Sequence, residues 1–426
     1  MSTLGIDRRR FLKAGMVAAT AGILETQQAF AARLAELPVP GREGQGFVEL
    51  RDAYALSPDI TYFNHASIGT IPKIVREAQH QYQELCETNP WLYIWDEGWP
   101  DGREVIRRKA AAAMGCGVEE MALTHNTTEG FNMLALGLPL GPGDEVLFSS
   151  LNHAGASVCW TYQAEARGFS VKRFDFPVGR AAELSEDDLV AAYEREITPS
   201  TKVLVFPHID NIVGFRYPVR KMAEMARGKG VRYVAVDGAQ AAGMIDFAVS
   251  DLGVDFYSTS PHKWLQGPKE SGLLYVKDGV LDDVRAMWVT WGHAQWKGTV
   301  RVFEDYGTRN MPELMALGHA IDFQNELGAR AKEERYRRLW QHFMDEVDRR
   351  SGLLWRSPVT WDFGSGLFAI EREGHKSGEV SRQLFQEHGY VFRPFATQGL
   401  NTMRISPNVF NTEDEIDRFL DVLQAL

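Results

Sequence analysis

From residue 121 onward, short apolar runs that end at turn residues alternate with stretches of helical periodicity. No other feature of the chain constrains its fold as strongly. The runs 121–125, 145–149, 170–175, 202–207, 232–237, 255–259 and 272–276 read as strands, and helical periodicity falls at 128–138, 154–167, 186–195 and 218–228. This alternation predicts an α/β domain on a mainly parallel, seven-stranded sheet. In such sheets ligands sit beyond the carboxyl ends of the strands, so the residues just after each run are the ones to inspect for chemistry.

A chain of 426 residues is long enough for two domains. We expect a leader at 1–31, an N-terminal segment at 32–70, a large domain at 71–309 and a smaller α+β domain at 310–426, entered through a long helical stretch at 312–350. Pro38 to Gly46 reads as a linker. Residues 90–103, with Trp91, Trp95 and Trp99 among Pro and Gly, read as a loop. These indoles, with Tyr93, Trp291, His293 and Trp296, either line a wide mouth for a bulky aromatic ligand or belong to the core. A formal charge of −11 argues against nucleic acid as a partner, since phosphate binding needs a basic face. Cys86, Cys116 and Cys159 have neither metal-site spacing nor the number for a disulfide framework, so reduced or inert thiols are expected.

Arg8-Arg9-Arg10-Phe11-Leu12-Lys13 precedes a mild apolar run, Ala14 to Leu24, and Ala29-Phe30-Ala31 offers a small-x-small cleavage site. The run is too short for stable membrane insertion. The pattern resembles a twin-arginine export signal, an address read by the export machinery, and implies a periplasmic protein exported folded.

Several strand ends carry chemistry suited to one cofactor. Asn126-Thr127-Thr128-Glu129-Gly130 opens a helix whose free N–H groups and dipole favour a phosphate; the alternative is that Thr127 is only a cap. Asn152-His153 offers a flat imidazole for stacking on a ring, or a structural histidine. Asn211, in His208-Ile209-Asp210-Asn211, is an amide donor for a phenolate oxygen or a turn residue before Gly214. Asp237 closes an otherwise apolar strand, where a carboxylate is costly unless a cation such as a protonated ring nitrogen partners it. Lys263, in Ser260-Pro261-His262-Lys263, suits an amine that holds an aldehyde cofactor as a Schiff base, with Ser260 and His262 as further contacts.

Taken together, Thr127-Thr128-Glu129, His208-x-x-Asn211-x-x-Gly214, Asp237-Gly238-Ala239-Gln240 and Ser260-x-His262-Lys263 resemble the class V aminotransferases. These are fold type I pyridoxal 5'-phosphate enzymes, and the resemblance spans roughly residues 60–426. It implies that Lys263 bonds the cofactor and moves the α-proton, that Asp237 pairs with the ring nitrogen, and that Asn211 and Gln240 lie near the ring hydroxyl. It also implies that His153 stacks on the ring and that Thr128, Ser260 and His262 hold the phosphate. Gly307-Thr308 fits a phosphate contact made across a homodimer, and Arg404 fits the arginine that grips a substrate carboxylate.

Asn64-His65-Ala66-Ser67-Ile68-Gly69 and Arg404-Ile405-Ser406-Pro407 are most like the isopenicillin N epimerase-like subgroup. With the leader, the chain resembles the exported enzymes of pyoverdine maturation, which implies a glutamate on a siderophore-peptide precursor as substrate. Amine transfer and epimerisation at the α-carbon both stay open, with His153 the second acid if epimerisation holds. Cysteine desulfurases of this kind need a nucleophilic cysteine in the C-terminal part, and none follows Cys159.

Overall fold

A computed structural model describes residues 8–38, 46–95, 98–99 and 102–426, with side chains from residue 21 onward. Apolar strands lead straight into polar turns, and the central sheet follows from them: β2 (Met121–Thr124), β3 (Glu145–Ser149), β4 (Ser170–Phe174), β5 (Thr201–Pro207), β6 (Tyr233–Asp237), β7 (Phe256–Thr259) and β8 (Gly272–Val276), preceded in the chain by the short β1 (Thr61–Tyr62). The spatial order is β2-β8-β7-β6-β5-β3-β4, with β8 antiparallel to both its neighbours and the other adjacent pairs parallel. Each predicted strand is present to within a residue or two, as are the helices Thr127–Gly137, Ala154–Arg167, Glu186–Glu196 and Val219–Gly228.

Helices on both faces explain why the inner strands β5 to β8 are buried almost throughout instead of alternating, while β4, at the edge, keeps Ser170, Lys172 and Arg173. In β5, Leu204 and Phe206 join the core on one face while Val203 and Val205 join that on the other. Direction changes between β3 and β5: the chain runs outward from β3 to β4, then returns to build β5, β6 and β7 on the other side. Ligand sites gather at such a switch point.

The C-terminal part has its own four-stranded antiparallel sheet, ordered β12-β13-β10-β9, from β9 (Leu353–Trp355), β10 (Phe368–Arg372), β12 (Arg393–Thr397) and β13 (Leu400–Ile405). The intervening β11 (Tyr390–Val391) pairs in parallel with β1, so the N-terminal segment is stitched to the C-terminal domain. Its core unites Phe63 with Leu339, Phe343, Phe368 and Phe419.

Two expectations need revision. Residues 90–103 are not all loop: Pro90–Trp95 is a short helix, and another starts at Gly102. Asn89 Oδ1 accepts the Leu92 N–H at 3.2 Å, so Pro90 takes the first helical position, where its missing N–H costs nothing. The stretch 312–350 is two helices, Met311–Leu327 and Ala329–Asp348, separated at Gly328, whose φ of 78° leaves the helical region. The first of these packs on the helices Lys73–Thr88 and Gly102–Met114 of the large domain. At the N-terminus, Arg8–Ala35 is helical, and Ile23, Thr26 and Phe30 are buried, Phe30 against His319 at 4.1 Å between centroids. The side chains of the arginine motif, and residues 39–45 of the linker, lie outside the described residues. Among the described residues no helix is long and apolar enough to cross a membrane.

The turn after β5 is a joint between the domains. Gly214 has φ 73°, and a Cβ placed there would lie 1.9 Å from Leu367 O. Gly214→Ala should therefore destabilise the protein by roughly 2–5 kcal/mol, the sum of left-handed strain and overpacking. Denaturant unfolding checks this; a midpoint within about 0.5 kcal/mol of wild type would contradict it.

Candidate active site

A cavity of about 300 Å³ opens beyond the carboxyl ends of β2, β3, β5, β6 and β7. Two helix N-termini point into it. Asn126, not Thr127, caps the helix Thr127–Gly137: its Oδ1 accepts the Glu129 N–H at 2.9 Å. The Thr127 N–H and hydroxyl are thereby left to meet Ser260 Oγ at 2.9 and 2.8 Å. His153 caps the helix Ala154–Arg167, its Nδ1 accepting the Gly155 N–H at 3.1 Å. A Cβ on Gly155 would stand 2.5 Å from Thr128 Oγ1, so glycine lets the two termini approach. His262 Nδ1 is buried without a hydrogen-bond partner among the described residues. Hydroxyls, an orphaned imidazole nitrogen and two positive dipole ends make a donor set for an anion, and they fit a phosphate.

Asp237, 6 % exposed, ends β6 and lines the cavity; its Oδ1 accepts the Ala239 N–H at 3.0 Å. A buried carboxylate that opens to a cavity fits a cationic ring nitrogen. The loop carrying Asn211 is shaped by Asp210, whose carboxylate accepts the N–H groups of Ile212, Val213 and Phe215 at 2.8, 2.9 and 2.5 Å. Gln240 also lines the cavity, but its amide is partly committed: Nε2 donates to Ala66 O at 3.0 Å and Oε1 accepts from Trp264 Nε1 at 2.8 Å. The residues present therefore fit pyridoxal phosphate.

Lys263 leaves β7 through a tight turn, its N–H donating to Ser260 O at 3.2 Å, and its side chain lines the cavity. Burial pushes the ammonium down to about 8; Asp237 opposes this, while Arg404 and Arg393 reinforce it. A lysine so tuned is a usable nucleophile and proton carrier near neutral pH. His153, from the β3 side, is pushed below its ordinary value by loss of solvent, with Asp237 opposing and Lys263 adding to the effect.

Arg404 on β13 is 2 % exposed. Its Nη1 donates to Asn211 O at 3.0 Å, and its Nη2 to Asn64 Oδ1 at 3.0 Å and Ser67 Oγ at 2.6 Å. Asn64 and Ser67, noted in the sequence only for a subgroup likeness, thus aim the arginine. One lining residue, Arg393, was missed entirely; it stands exposed at the start of an edge strand, and no local motif marks it. Thr308 is not brought to this cavity within one chain: it is exposed, and Gly307 lines a separate cleft with Trp95, Trp99, Trp291 and Trp296. Those indoles are neither a mouth of this cavity nor wholly core, since Trp291 is 80 % exposed.

Covalent uptake of pyridoxal phosphate by the cofactor-free protein should rise with pH through one ionisation near 8, well below the 10.5 of an ordinary lysine. Asp237→Asn removes the charge that holds this value up, so the inflection should move to lower pH. Stopped-flow absorbance checks both; a rate still climbing above pH 10 would contradict the burial of Lys263.

Known proteins resemble this chain over most of its length. The family model described as aminotransferase class-V matches residues 60–419. An isopenicillin N epimerase from Streptomyces clavuligerus is 29% identical over 395 residues, covering 89% of this chain and 98% of the relative. A probable cysteine desulfurase from Halobacterium salinarum is 29% identical over 382 residues, covering 84% and 89%. Among solved structures, a cysteine desulfurase from Thermococcus onnurineus superposes with a TM-score of 0.76 at 22% identity, covering 88% of this chain and 97% of that one. The C-DES K223A mutant with glycine covalently linked to its pyridoxal-phosphate cofactor gives 0.78 at 21% identity, covering 91% and 99%. The chain belongs to the class V aminotransferase family of pyridoxal-phosphate-dependent enzymes, and its fold is fold type I.

Proposed function

We propose that this chain is an exported enzyme that transfers the amine from the α-carbon of an amino acid group, with a glutamate on a pyoverdine-type siderophore precursor as its periplasmic substrate. One observation carries the chemical part: Lys263, Asp237 and Arg404 open onto a single cavity whose other end fits a phosphate. Thr127, Thr128, Ser260 and His262 would hold the cofactor phosphate, Asp237 the ring nitrogen, and Asn211 and Gln240 the ring hydroxyl. The cofactor supplies an electron sink for the charge left at the α-carbon. Arg404, fixed by Asn64, Ser67 and Asn211, orients the substrate through its carboxylate. Lys263 takes the α-proton and returns it at a new position, its lowered proton affinity matching both halves of that task.

The arginine motif and apolar run that follow Asp7 support export through the twin-arginine machinery. A homodimer, with Thr308 of a neighbouring copy near the phosphate, accounts for that residue being exposed in a single chain. Desulfuration is a poorer reading. Burial pushes the Cys116 and Cys159 thiols up to about 12, it also raises Cys86, and none of the three lines the cavity.

A second reading, epimerisation, is favoured by two observations. One is the isopenicillin N epimerase relative. The other is that His153, after β3, and Lys263, after β7, line one cavity and so offer two proton carriers from separate strands.

Incubating the holoenzyme with siderophore precursor in deuterated water separates these readings. Amine transfer predicts loss of the substrate amine, followed by mass spectrometry; a retained amine with deuterium at an α-carbon of inverted configuration would establish epimerisation instead. Lys263→Ala should lower turnover by roughly 10²–10⁴-fold or more. Asp237→Ala should still bind cofactor yet lose orders of magnitude in rate, and near-normal turnover of that variant would sink its role as the ring-nitrogen partner.

A further inference from the structure

The cavity holds one more cation than chemistry at the α-carbon uses. Lys263, Arg393 and Arg404 line it against a single carboxylate, Asp237. Lys263 and Asp237 serve the cofactor, its phosphate would face the hydroxyls and helix N-termini at the other end of the cavity, and one guanidinium suffices for the substrate's α-carboxylate. Arg393 is left over.

Its position makes the surplus more telling. Arg393 on β12 lies directly opposite Arg404 on β13 in the antiparallel ladder. Like charges directly opposite on neighbouring strands destabilise a sheet. Both guanidinium groups face the same ring, Phe395, at 5.2 and 5.4 Å from its centroid. Two charge centres within 5.4 Å of one point lie within twice that distance of each other. Burial, and after it Arg393, pushes Arg404 down to about 9. Asp210 attracts Arg404 but is also committed to three backbone N–H groups, and Arg393 has no side-chain hydrogen bond or ion pair among the described residues. An arrangement that costs stability in the free protein and turns favourable when an anion arrives is a binding device. Arg404 is buried and Arg393 exposed, so the second anion would sit towards the mouth, farther from Lys263.

We propose that Arg393 is a specificity residue that selects substrates in which a second anionic group, most simply a carboxylate, stands beside the carboxylate held by Arg404. The inference deepens the α-carbon reading above, since it takes Arg404 as the grip on the first carboxylate.

The test uses simple acids without an amine, so that it stands apart from the chemistry. Calorimetry of the holoenzyme compares glutarate with pentanoate, which has the same length and one carboxylate. Wild type should bind glutarate at least about tenfold more tightly, the factor one charge-assisted contact supplies. Arg393→Gln should bring glutarate down to the affinity of pentanoate, and Arg393→Lys should restore part of the preference. Because β12 is an edge strand and the side chain is exposed, both variants are expected to fold; circular dichroism checks that. Equal affinity for the two acids in wild type, or an undiminished preference in Arg393→Gln, would overturn the proposal. An intact glutarate preference in a holoenzyme whose absorption no amino acid perturbs would uphold Arg393 and sink the α-carbon reading instead.

Discussion

The buried guanidinium of Arg404 is the interaction on which the rest of the site depends. Removing such a group from water costs several kcal/mol unless its donors find partners. Here Nη1 finds Asn211 O after β5 and Nη2 finds Asn64 and Ser67 of the N-terminal segment, while Nε has no partner among the described residues. Two stretches far apart in sequence are thus tied to β13 of the C-terminal domain. The linkage continues: Gly69, two residues past Ser67, donates its N–H to His262 O at 2.8 Å. A Cβ on Gly69 would stand 2.1 Å from Lys263 O, so the N-terminal loop lies directly on the lysine turn. The distance between Arg404 and Lys263 is set by this chain of contacts.

Electrostatics in the cavity follow from the same economy of partners. Asp237 is the lone carboxylate facing three cations, and it opposes the effect of burial on both Lys263 and His153. Low-dielectric walls magnify these mutual effects. Lys263 therefore titrates where it can act as base and acid, while the arginines await anions.

Much of this was legible in the sequence because strand ends and helix starts leave local marks. The seven strands were visible as apolar runs, and Thr127, Asn211, Asp237, Ser260 and Lys263 all fall just beyond or at the end of one. Two kinds of feature were hidden. Pro90 looked like a loop marker, although Pro at a first helical position is favourable, and only the Asn89 cap shows which applies. Arg393 and the Asn64–Ser67 loop reach the cavity through long-range pairing, β12 with β13 and β1 with β11, which no local pattern encodes. Thr308 remains a residue whose expected role lies across a boundary that one chain does not contain.

The account rests on Lys263 as the amine that bonds the cofactor, and reductive trapping tests that most directly. Borohydride treatment of the purified holoenzyme, followed by peptide mass spectrometry, should place a pyridoxyl group on Lys263. Lys269 is the instructive competitor: its ammonium too is lowered by loss of solvent, but the residue is exposed, its Nζ donates to Gly69 O at 3.0 Å and it does not line the cavity. A label on Lys269, or on no lysine, would contradict the account.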